Sequence, residues 1–261
     1  MIARTLCALL LCNLANAGEV LDLRMTGKWE SDKASAKAVL MSVASEFVTL
    51  FPETKLPPIE VEQKGGPITL YQRGPKGEIR VKLNSTGSLW AQHAFQFAHE
   101  LGHVMCRYDT DTHPNKWFEE SICELASLFV LRRMAKTWET KPPYPNWKNY
   151  AKALNGYADE RLSKARLPEG VTLAQWYGER REFFNKNATE RDSNLVIAAA
   201  LLAYFEEDTT RWQAVEHINT EKLAPIHGFP QYLAAWKRNC GEKHKPVVDE
   251  IAKRLGVKLE D

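Results

Sequence analysis

The sequence has little excess of either charge and no hydrophobic run long enough to cross a membrane. Its 261 residues include 35 Lys and Arg against 33 Asp and Glu, which leaves a formal net charge of +2 at pH 7. Such a small charge provides no broad attraction to a phosphate backbone, so nothing here favours a nucleic-acid partner. A bilayer-spanning helix needs about 20 apolar residues, and no stretch of the chain reaches that length. The 44% content of hydrophobic residues is that of an ordinary globular protein.

The longest apolar segment lies at the N-terminus and has the pattern of a secretory signal peptide. Arg4 supplies the basic start, residues 6–14 are the apolar region, and Ala15-Asn16-Ala17 has the small-x-small pattern of a cleavage site. We therefore expect residues 1–17 to be removed and the mature protein to begin at Gly18. The mature protein is expected to be exported, to the periplasm or the extracellular space, without stable membrane insertion.

Cysteine is scarce. The chain has five Cys, and Cys7 and Cys12 belong to the predicted signal peptide. An oxidising compartment would allow one disulfide among Cys106, Cys123 and Cys240 and would leave one thiol free. The sequence favours no particular pair, and all three also fit as small buried hydrophobic residues.

Apolar periodicity predicts a small sheet surrounded by helices. A first helix, capped by Ser31 or Asp32, is expected to reach about residue 51. Three short alternating segments near residues 59–61, 68–70 and 79–83 predict strands joined by hairpins. Further helices are predicted at 88–107, 115–138, 147–165, 173–184, 192–206, 228–239 and 245–255.

These elements predict an α+β fold. Residues 18–140 are expected to form a lobe with the small sheet and the two helices of the site. The Pro-rich segment 141–145 breaks the pattern and marks the best internal boundary. Residues 141–261 are expected to form a mostly helical C-terminal lobe that closes a cleft.

A metal-binding motif lies in the second predicted helix. His99 and His103 are four residues apart, so they lie on one face of a helix and can bind a single metal ion. Glu100 follows His99 after about 100° of helical rotation, which places it beside the ion and not on it. A carboxylate in that place can take a proton from a metal-bound water. The alternative is a helix whose two histidines are solvated or packed in the core.

With the helix that follows, this motif resembles the gluzincin metallopeptidases, which include thermolysin-like and aminopeptidase-N-like enzymes. Those enzymes carry His-Glu-x-x-His on one helix and a ligand Glu on the next. The segment Trp117-Phe118-Glu119-Glu120-Ser121 is similar to the aminopeptidase motif Trp-Leu-Asn-Glu-Gly. The spacing of Glu120 and Glu124 is that of the thermolysin-like ligand Glu and the Asp that follows it. The resemblance covers about residues 83–131.

The resemblance implies an exported zinc peptidase that hydrolyses peptide or protein substrates. It implies that Zn²⁺ is bound by His99, His103 and Glu120, and that Glu100 is the general base. It also implies that Glu124 accepts a hydrogen bond from a zinc-bound histidine.

The motif region departs from this family in two ways: the sixteen residues between His103 and Glu120 are a little fewer than usual, and Glu119 differs in type. Glu119 replaces the Asn of the aminopeptidase motif, and helical spacing turns it away from the face shared by Glu120 and Glu124. Asp109 is an alternative third ligand, as in enzymes related to the metzincins. Cys106 stands where metzincins have a Gly that permits a sharp turn, which makes Glu120 the favoured ligand.

Two further roles are expected around the motif. In gluzincins an edge strand pairs with the substrate backbone, and residues 78–84 are equally consistent with that strand and with a plain sheet strand. An oxyanion stabiliser is expected from the C-terminal lobe. Arg191 is the first candidate, since it begins a helix where aminopeptidase-like enzymes place a Tyr. The other candidates are Tyr204, His217, His227 and Tyr232.

Two alternative functions stay open from the sequence alone. A catalytically inactive zinc-binding scaffold would keep the ligands and have a closed cleft. An interaction protein would use the helical lobe as its binding surface and would need no metal. Glu100 favours an enzyme over both, because it is not a ligand and has a role only in catalysis.

Overall fold

The computed structural model describes residues 20–108, 114–224 and 226–260. The chain is mixed α/β and 60% helical, with a small four-stranded sheet and a helical C-terminal region, so the α+β class is confirmed. The predicted signal peptide and Asp109 lie outside the described residues. Within these residues, no helix combines the length and the apolar character needed to span a membrane.

Within the described part of the chain, four short strands form one sheet in the order β1-β2-β4-β3. They are β1 (Leu23–Thr26), β2 (Ile59–Glu62), β3 (Ile68–Leu70) and β4 (Ile79–Lys82). The pairs β1–β2 and β2–β4 are parallel, and β3–β4 is antiparallel. The predicted hairpin pairing is therefore right for β3 and β4 and wrong for the others. β1 was not predicted at all.

Strand β3 forms an edge of the sheet. β4 is paired on one side with β2 and on the other with β3, so residues 79–82 have no free edge. Of the two interpretations of residues 78–84, the plain sheet strand is the right one. Gly66 precedes β3, and a Cβ at this position would collide with the backbone of Lys82. The absence of a side chain at Gly66 allows the chain to enter β3 this close to β4.

The described residues also form eight α-helices. They are α1 (Lys33–Phe47), α2 (Trp90–Met105), α3 (Lys116–Trp138), α4 (Ala151–Lys164), α5 (Leu173–Lys186), α6 (Arg191–Glu207), α7 (Phe229–Asn239) and α8 (Lys245–Arg254). All of them were predicted. The main differences from the predicted elements are two 3-10 helices, Pro145–Tyr150 before α4 and Thr209–His217 after α6. Asp32 caps α1, since its carboxylate accepts a hydrogen bond from the Ser35 amide at 2.7 Å.

Helices α2 and α3 pack antiparallel and very close together. The Ser127 hydroxyl on α3 donates to the Phe95 carbonyl on α2 at 2.9 Å, which ties one end of the pair. In the middle, a Cβ at Gly102 would lie 2.9 Å from the Cα of Cys123. Real Cβ atoms do not approach another backbone so closely, so glycine is what permits this separation of the helix axes.

Helix α2 ends in a tight left-handed turn. Arg107 has a φ of 55°, and the Tyr108 amide donates back to the His103 carbonyl at 3.0 Å. Cys106 keeps right-handed helical angles, with φ −71° and ψ 0°. The turn therefore comes one residue later than the glycine turn of the metzincins.

Helix α3 is the centre of the molecule and is buried on nearly every side. A helix in that position has apolar residues all around it, which explains why its sequence shows no clear polar face. Its first turn contributes Trp117 and Phe118 to an aromatic cluster with Phe184 and Phe229. The buried apolar residues of both predicted lobes form one connected cluster. The predicted boundary at residue 141 stays a prediction.

Candidate metal centre

The three side chains predicted as ligands come together between α2 and α3. Glu120 Oε2 lies 3.2 Å from His99 Nε2 and 3.6 Å from His103 Nε2. Atoms that bind one tetrahedral zinc at about 2.0–2.1 Å lie about 3.3 Å from each other. Two imidazole nitrogens and a carboxylate oxygen are also common zinc donors. The types of donor and their two distances from Glu120 therefore fit a zinc ion.

The other ring nitrogen of each histidine faces a second carboxylate. Glu119 Oε1 lies 2.6 Å from His103 Nδ1, and Glu124 Oε1 lies 3.8 Å from His99 Nδ1. With Nδ1 directed at a carboxylate, each ring presents Nε2 towards Glu120. Glu124 lies beside His99, but 3.8 Å is too long for the expected hydrogen bond, so its role as acceptor stays a prediction.

Glu119 is turned away from the face that Glu120 and Glu124 share, as helical spacing predicted, and it nevertheless contacts His103. Glu119 and Glu120 are about 100° apart on α3, and α2 packs across both positions. One histidine of α2 can therefore contact both of them. Helical spacing within α3 gave no signal for this, because the contact depends on how the two helices cross.

Cys123 is a further donor close to the histidines. His99, His103 and Cys123 place ligand atoms within 4.8 Å of one another. Burial, together with the hydrogen bond to the Cys106 thiol, raises the pKa of Cys123 well above its ordinary value. A metal binds the thiolate and not the thiol. Glu120 lies 3.2 and 3.6 Å from the two Nε2 atoms and carries its charge already, so it is the better third ligand.

All three cysteines that the mature chain would keep are buried and free. Among the described residues there is thus no disulfide, and the interpretation as small buried residues agrees with the structure. Burial raises the pKa of Cys106 as well.

In the metal-free protein the site residues form a charged cluster. Burial alone would lower the pKa of His99, but the Glu120 hydrogen bond and the charges of Glu124, Glu100 and Glu120 outweigh it and raise the pKa to about 9. Burial opposes ionisation of Glu120, yet its contacts with His99 and His103 hold its pKa at about 2. The pKa of Glu119 is also lowered, because His103 and Lys116 outweigh the effect of burial. A cluster with this much negative charge attracts a cation.

Glu100 is buried and is held by the edge strand. The Thr69 hydroxyl on β3 donates to Glu100 Oε2 at 2.7 Å and lies 3.2 Å from the Glu100 carbonyl oxygen. The carboxylate lines the same cleft as the two histidines. Sequence reasoning missed Thr69, since a single Thr in a three-residue strand carries no recognisable signal.

An open cleft of about 370 Å³ runs over the site. One wall is apolar and aromatic and includes Ile68, Tyr71 and Tyr108, and Ile68 and Tyr71 are 43% and 48% exposed. Thr189, Arg191 and Asn194 line it from the helical region. The Tyr108 hydroxyl donates to the Leu70 carbonyl at 3.0 Å, so it supports the edge strand.

Of the candidates for an oxyanion stabiliser, Arg191 lies in the cleft. It is exposed and is the first residue of α6. Tyr204, His217, His227 and Tyr232 are all described, and none of these four lines the cleft. Arg211 lies over the Tyr204 ring, and His217 packs beside His244. Tyr232 is buried behind Glu119 and donates to Asn219 at 2.7 Å.

Comparisons of the chain with known protein families, with curated proteins and with solved structures found no match. The resemblance to the gluzincins stays a prediction based on the residues of the motif.

Proposed function

We propose that this protein is a zinc-dependent metallopeptidase of gluzincin type that hydrolyses peptide bonds. One observation carries the proposal: a Glu120 oxygen lies at zinc-ligand spacing from one nitrogen of each histidine, in an open cleft beside a buried carboxylate that is none of the three. His99, His103 and Glu120 would hold the ion. When bound, Zn²⁺ supplies Lewis acidity, which polarises a carbonyl group and lowers the pKa of a water towards about 7.

In this proposal Glu100 is the general base. It takes a proton from the attacking water and passes it to the nitrogen of the scissile bond, so that the C–N bond breaks with a neutral amine as the leaving group. The hydrogen bond from Thr69 fixes one carboxylate oxygen of Glu100, a residue that lines the cleft, and the other oxygen would accept the proton. Arg191 is the proposed stabiliser of the oxyanion, because its charge lies along the cleft wall.

The proposed substrate is an extended peptide. β3 pairs with β4 along one side, and the described strands leave its other side free. An extended chain can add to such an edge through main-chain hydrogen bonds. Ile68 and Tyr71 border the cleft at this edge and favour apolar side chains in the substrate. The proposal includes export, which N-terminal sequencing of the recovered protein tests by finding Gly18 as the first residue.

The open cleft also bears on the two alternatives. A scaffold that keeps zinc only for structure has no need of an accessible ion, and structural zinc sites are usually closed by four protein ligands. Here the His99 and His103 side chains are 13% and 12% exposed, and both line the cleft. An interaction protein without metal gives no reason for the convergence of two histidines and Glu120.

The test is Glu100→Gln, measured by zinc content and by cleavage of a peptide library. Glutamine keeps the size of the side chain but cannot accept the proton as a carboxylate does. We expect the parent and the Glu100→Gln variant each to bind one zinc ion. The cleavage rate of the variant should be about 10²–10⁴-fold lower, the usual effect of a lost general base.

Glu169→Gln is the matched control, since Glu169 is an exposed carboxylate that does not line the cleft. It should cleave like the parent. Equal cleavage by Glu100→Gln and the parent would remove Glu100 from the mechanism. Zinc binding without cleavage by the parent would favour the scaffold, and absence of zinc binding would favour the interaction protein.

A further inference from the structure

Behind the two histidines lie two buried carboxylates, and each has a basic side chain beside it, Lys116 of α3 for Glu119 and Arg161 of α4 for Glu124. Glu119 contacts His103 Nδ1 and the Lys116 ammonium, both at 2.6 Å from Oε1. Its other oxygen accepts a hydrogen bond from the Asn219 side-chain amide at 2.7 Å. The carboxylate is almost fully buried, and both of its oxygens have close partners.

The second carboxylate, Glu124, is held much more loosely. His99 Nδ1 and the Arg161 guanidinium each lie 3.8 Å from one of its oxygens. Oxygen Oε2 has no hydrogen-bond partner among the residues that the structure describes. The Arg161 guanidinium sits over the Phe95 ring at 4.7 Å, which holds it away from the carboxylate.

The contrast between these two arrangements assigns different roles to the two carboxylates. We propose that Glu119 is the main positioning residue of the metal centre, because it fixes His103 through a charged hydrogen bond that Lys116 and Asn219 support. This inference rests on the proposed zinc site. The resemblance to gluzincins points to Glu124 in this role and has a neutral Asn at the position of Glu119.

The physical reason is the tautomer and the orientation of the imidazole. A carboxylate that accepts the Nδ1 proton leaves the Nε2 lone pair free for the metal, fixes the ring and raises its basicity. A hydrogen bond of 2.6 Å to a charged group does this more strongly than an approach of 3.8 Å. Glu119 is therefore placed to contribute more to zinc affinity than Glu124.

Burying an anion is costly unless it is paired, and this site provides the pairing. Lys116 neutralises the charge of Glu119 from three residues earlier on α3. Asn219 comes from 100 residues later in the chain. The Tyr232 hydroxyl donates to Asn219 Oδ1 at 2.7 Å, which directs the amide nitrogen at Glu119. His103 is thus held by a chain of contacts that ends in α7.

The test is zinc affinity, measured by competition with a chromophoric chelator on the full mature chain. Loss of an outer hydrogen-bond partner of a ligand typically costs about 10–100-fold in metal affinity. We expect that loss for Glu119→Leu and a smaller one for Glu119→Gln, which keeps an acceptor oxygen but not the charge. Glu124→Leu should lose less than Glu119→Leu.

Glu46→Gln is the matched control. Glu46 is a buried carboxylate that pairs with Arg133 and Thr137, and none of these residues lines the cleft. This variant should lose stability and keep the zinc affinity of the parent. Asn219→Ala serves as a milder variant that keeps every charge. It should weaken zinc binding in the same direction even if Glu119→Leu does not fold.

A nuclear magnetic resonance signal separates positioning from general stability. In the parent, the His103 Nδ1 proton should give a strongly downfield signal, which Glu119→Gln should retain and Glu119→Leu should lose. A folded Glu119→Leu with parental zinc affinity would overturn the inference, as would a larger loss for Glu124→Leu or an unchanged affinity for Asn219→Ala. Failure of the parent to bind zinc would instead overturn the proposed function.

Discussion

Thr69 connects the edge strand β3 to the carboxylate that we propose as general base. A hydroxyl that donates to a charged group is worth about 1.5–3 kcal/mol. We expect Thr69→Val, which has nearly the same shape, to lower the cleavage rate about 10–100-fold and to leave zinc content unchanged, since Thr69 contacts no ligand. Thr69→Ser keeps the hydroxyl and should retain most of the activity. Equal rates for the Val and Ser variants would show that this hydrogen bond has no part in catalysis.

The charges of His99 and Glu120 predict how stability depends on pH in the metal-free protein. The pKa of His99 is raised from 6.5 to about 9, so its contribution is complete below pH 6.5 and is lost as pH rises through 9. The pKa of Glu120 is lowered from 4.5 to about 2, so its contribution is present above pH 4.5 and is lost as pH falls towards 2.

These two groups should therefore stabilise the metal-free protein most between pH 4.5 and 6.5. Thermal unfolding in the presence of a chelator measures this, and His99→Gln should flatten the decline on the alkaline side. A parent and variant with parallel profiles would contradict the prediction. Because zinc needs the neutral imidazole, zinc affinity should also fall as pH decreases below about 9.

At the scale of single residues, the sequence predicted what a fixed spacing within one helix determines. His99 and His103 had to share a face, and Glu100 had to lie beside them. The partners of these residues were beyond such reasoning. Thr69, Glu119 and Asn219 reach the site through the crossing of helices and the pairing of strands. Neither arrangement leaves a periodic signal in the chain.

At the scale of elements, the close packing of α2 against α3 sets the spacing of the donor atoms. The substitution Gly102→Ala would improve helix propensity by about 1 kcal/mol. The Cβ of that alanine, however, would lie 2.9 Å from the Cα of Cys123. Overpacking of this kind costs about 1–3 kcal/mol beyond the gain in helix propensity. We expect Gly102→Ala to lower the free energy of unfolding in urea and to weaken zinc binding.

Gly156 in α4 is the matched control, because a Cβ there meets nothing within 4 Å. Gly156→Ala should raise the free energy of unfolding by about 0.5–1 kcal/mol and leave zinc binding unchanged. If both alanine variants stabilise the protein equally, the close approach at Gly102 has no energetic importance.

Helices were easier to predict than strands for a physical reason. A helix makes its hydrogen bonds within one segment, so its periodicity and caps suffice, as Asp32 shows for α1. A strand depends on distant partners. β1 has four residues and pairs in parallel with β2, which lies more than 30 residues later. Nothing local distinguishes such a segment from a loop, and nothing local shows that β4 would lie inside the sheet.

At the scale of the whole molecule, the two predicted lobes share their hydrophobic core. The Trp117 ring packs 4.5 Å from Phe184 and 4.6 Å from Phe229, and Phe118 packs against Trp236. A chain of residues 18–140 would expose this surface of α3 to water. We expect it to lack cooperative thermal unfolding and a dispersed proton spectrum, both of which residues 18–261 should show. Cooperative unfolding of the shorter chain would establish the boundary at residue 141 as a domain boundary.

The contact between Asn219 and Glu119 also determines when, relative to translation, the protein can reach its full zinc affinity. During synthesis the ribosome completes His99, His103 and Glu120 well before Asn219 and Tyr232, which belong to the last fifth of the chain. An unfinished chain can offer an ion its three ligands but not the support that fixes His103. In the proposed peptidase, full zinc affinity is therefore acquired only after translation and folding of the C-terminal helices. Until then the enzyme stays poorly loaded, so its proteolytic activity begins late in its own biogenesis.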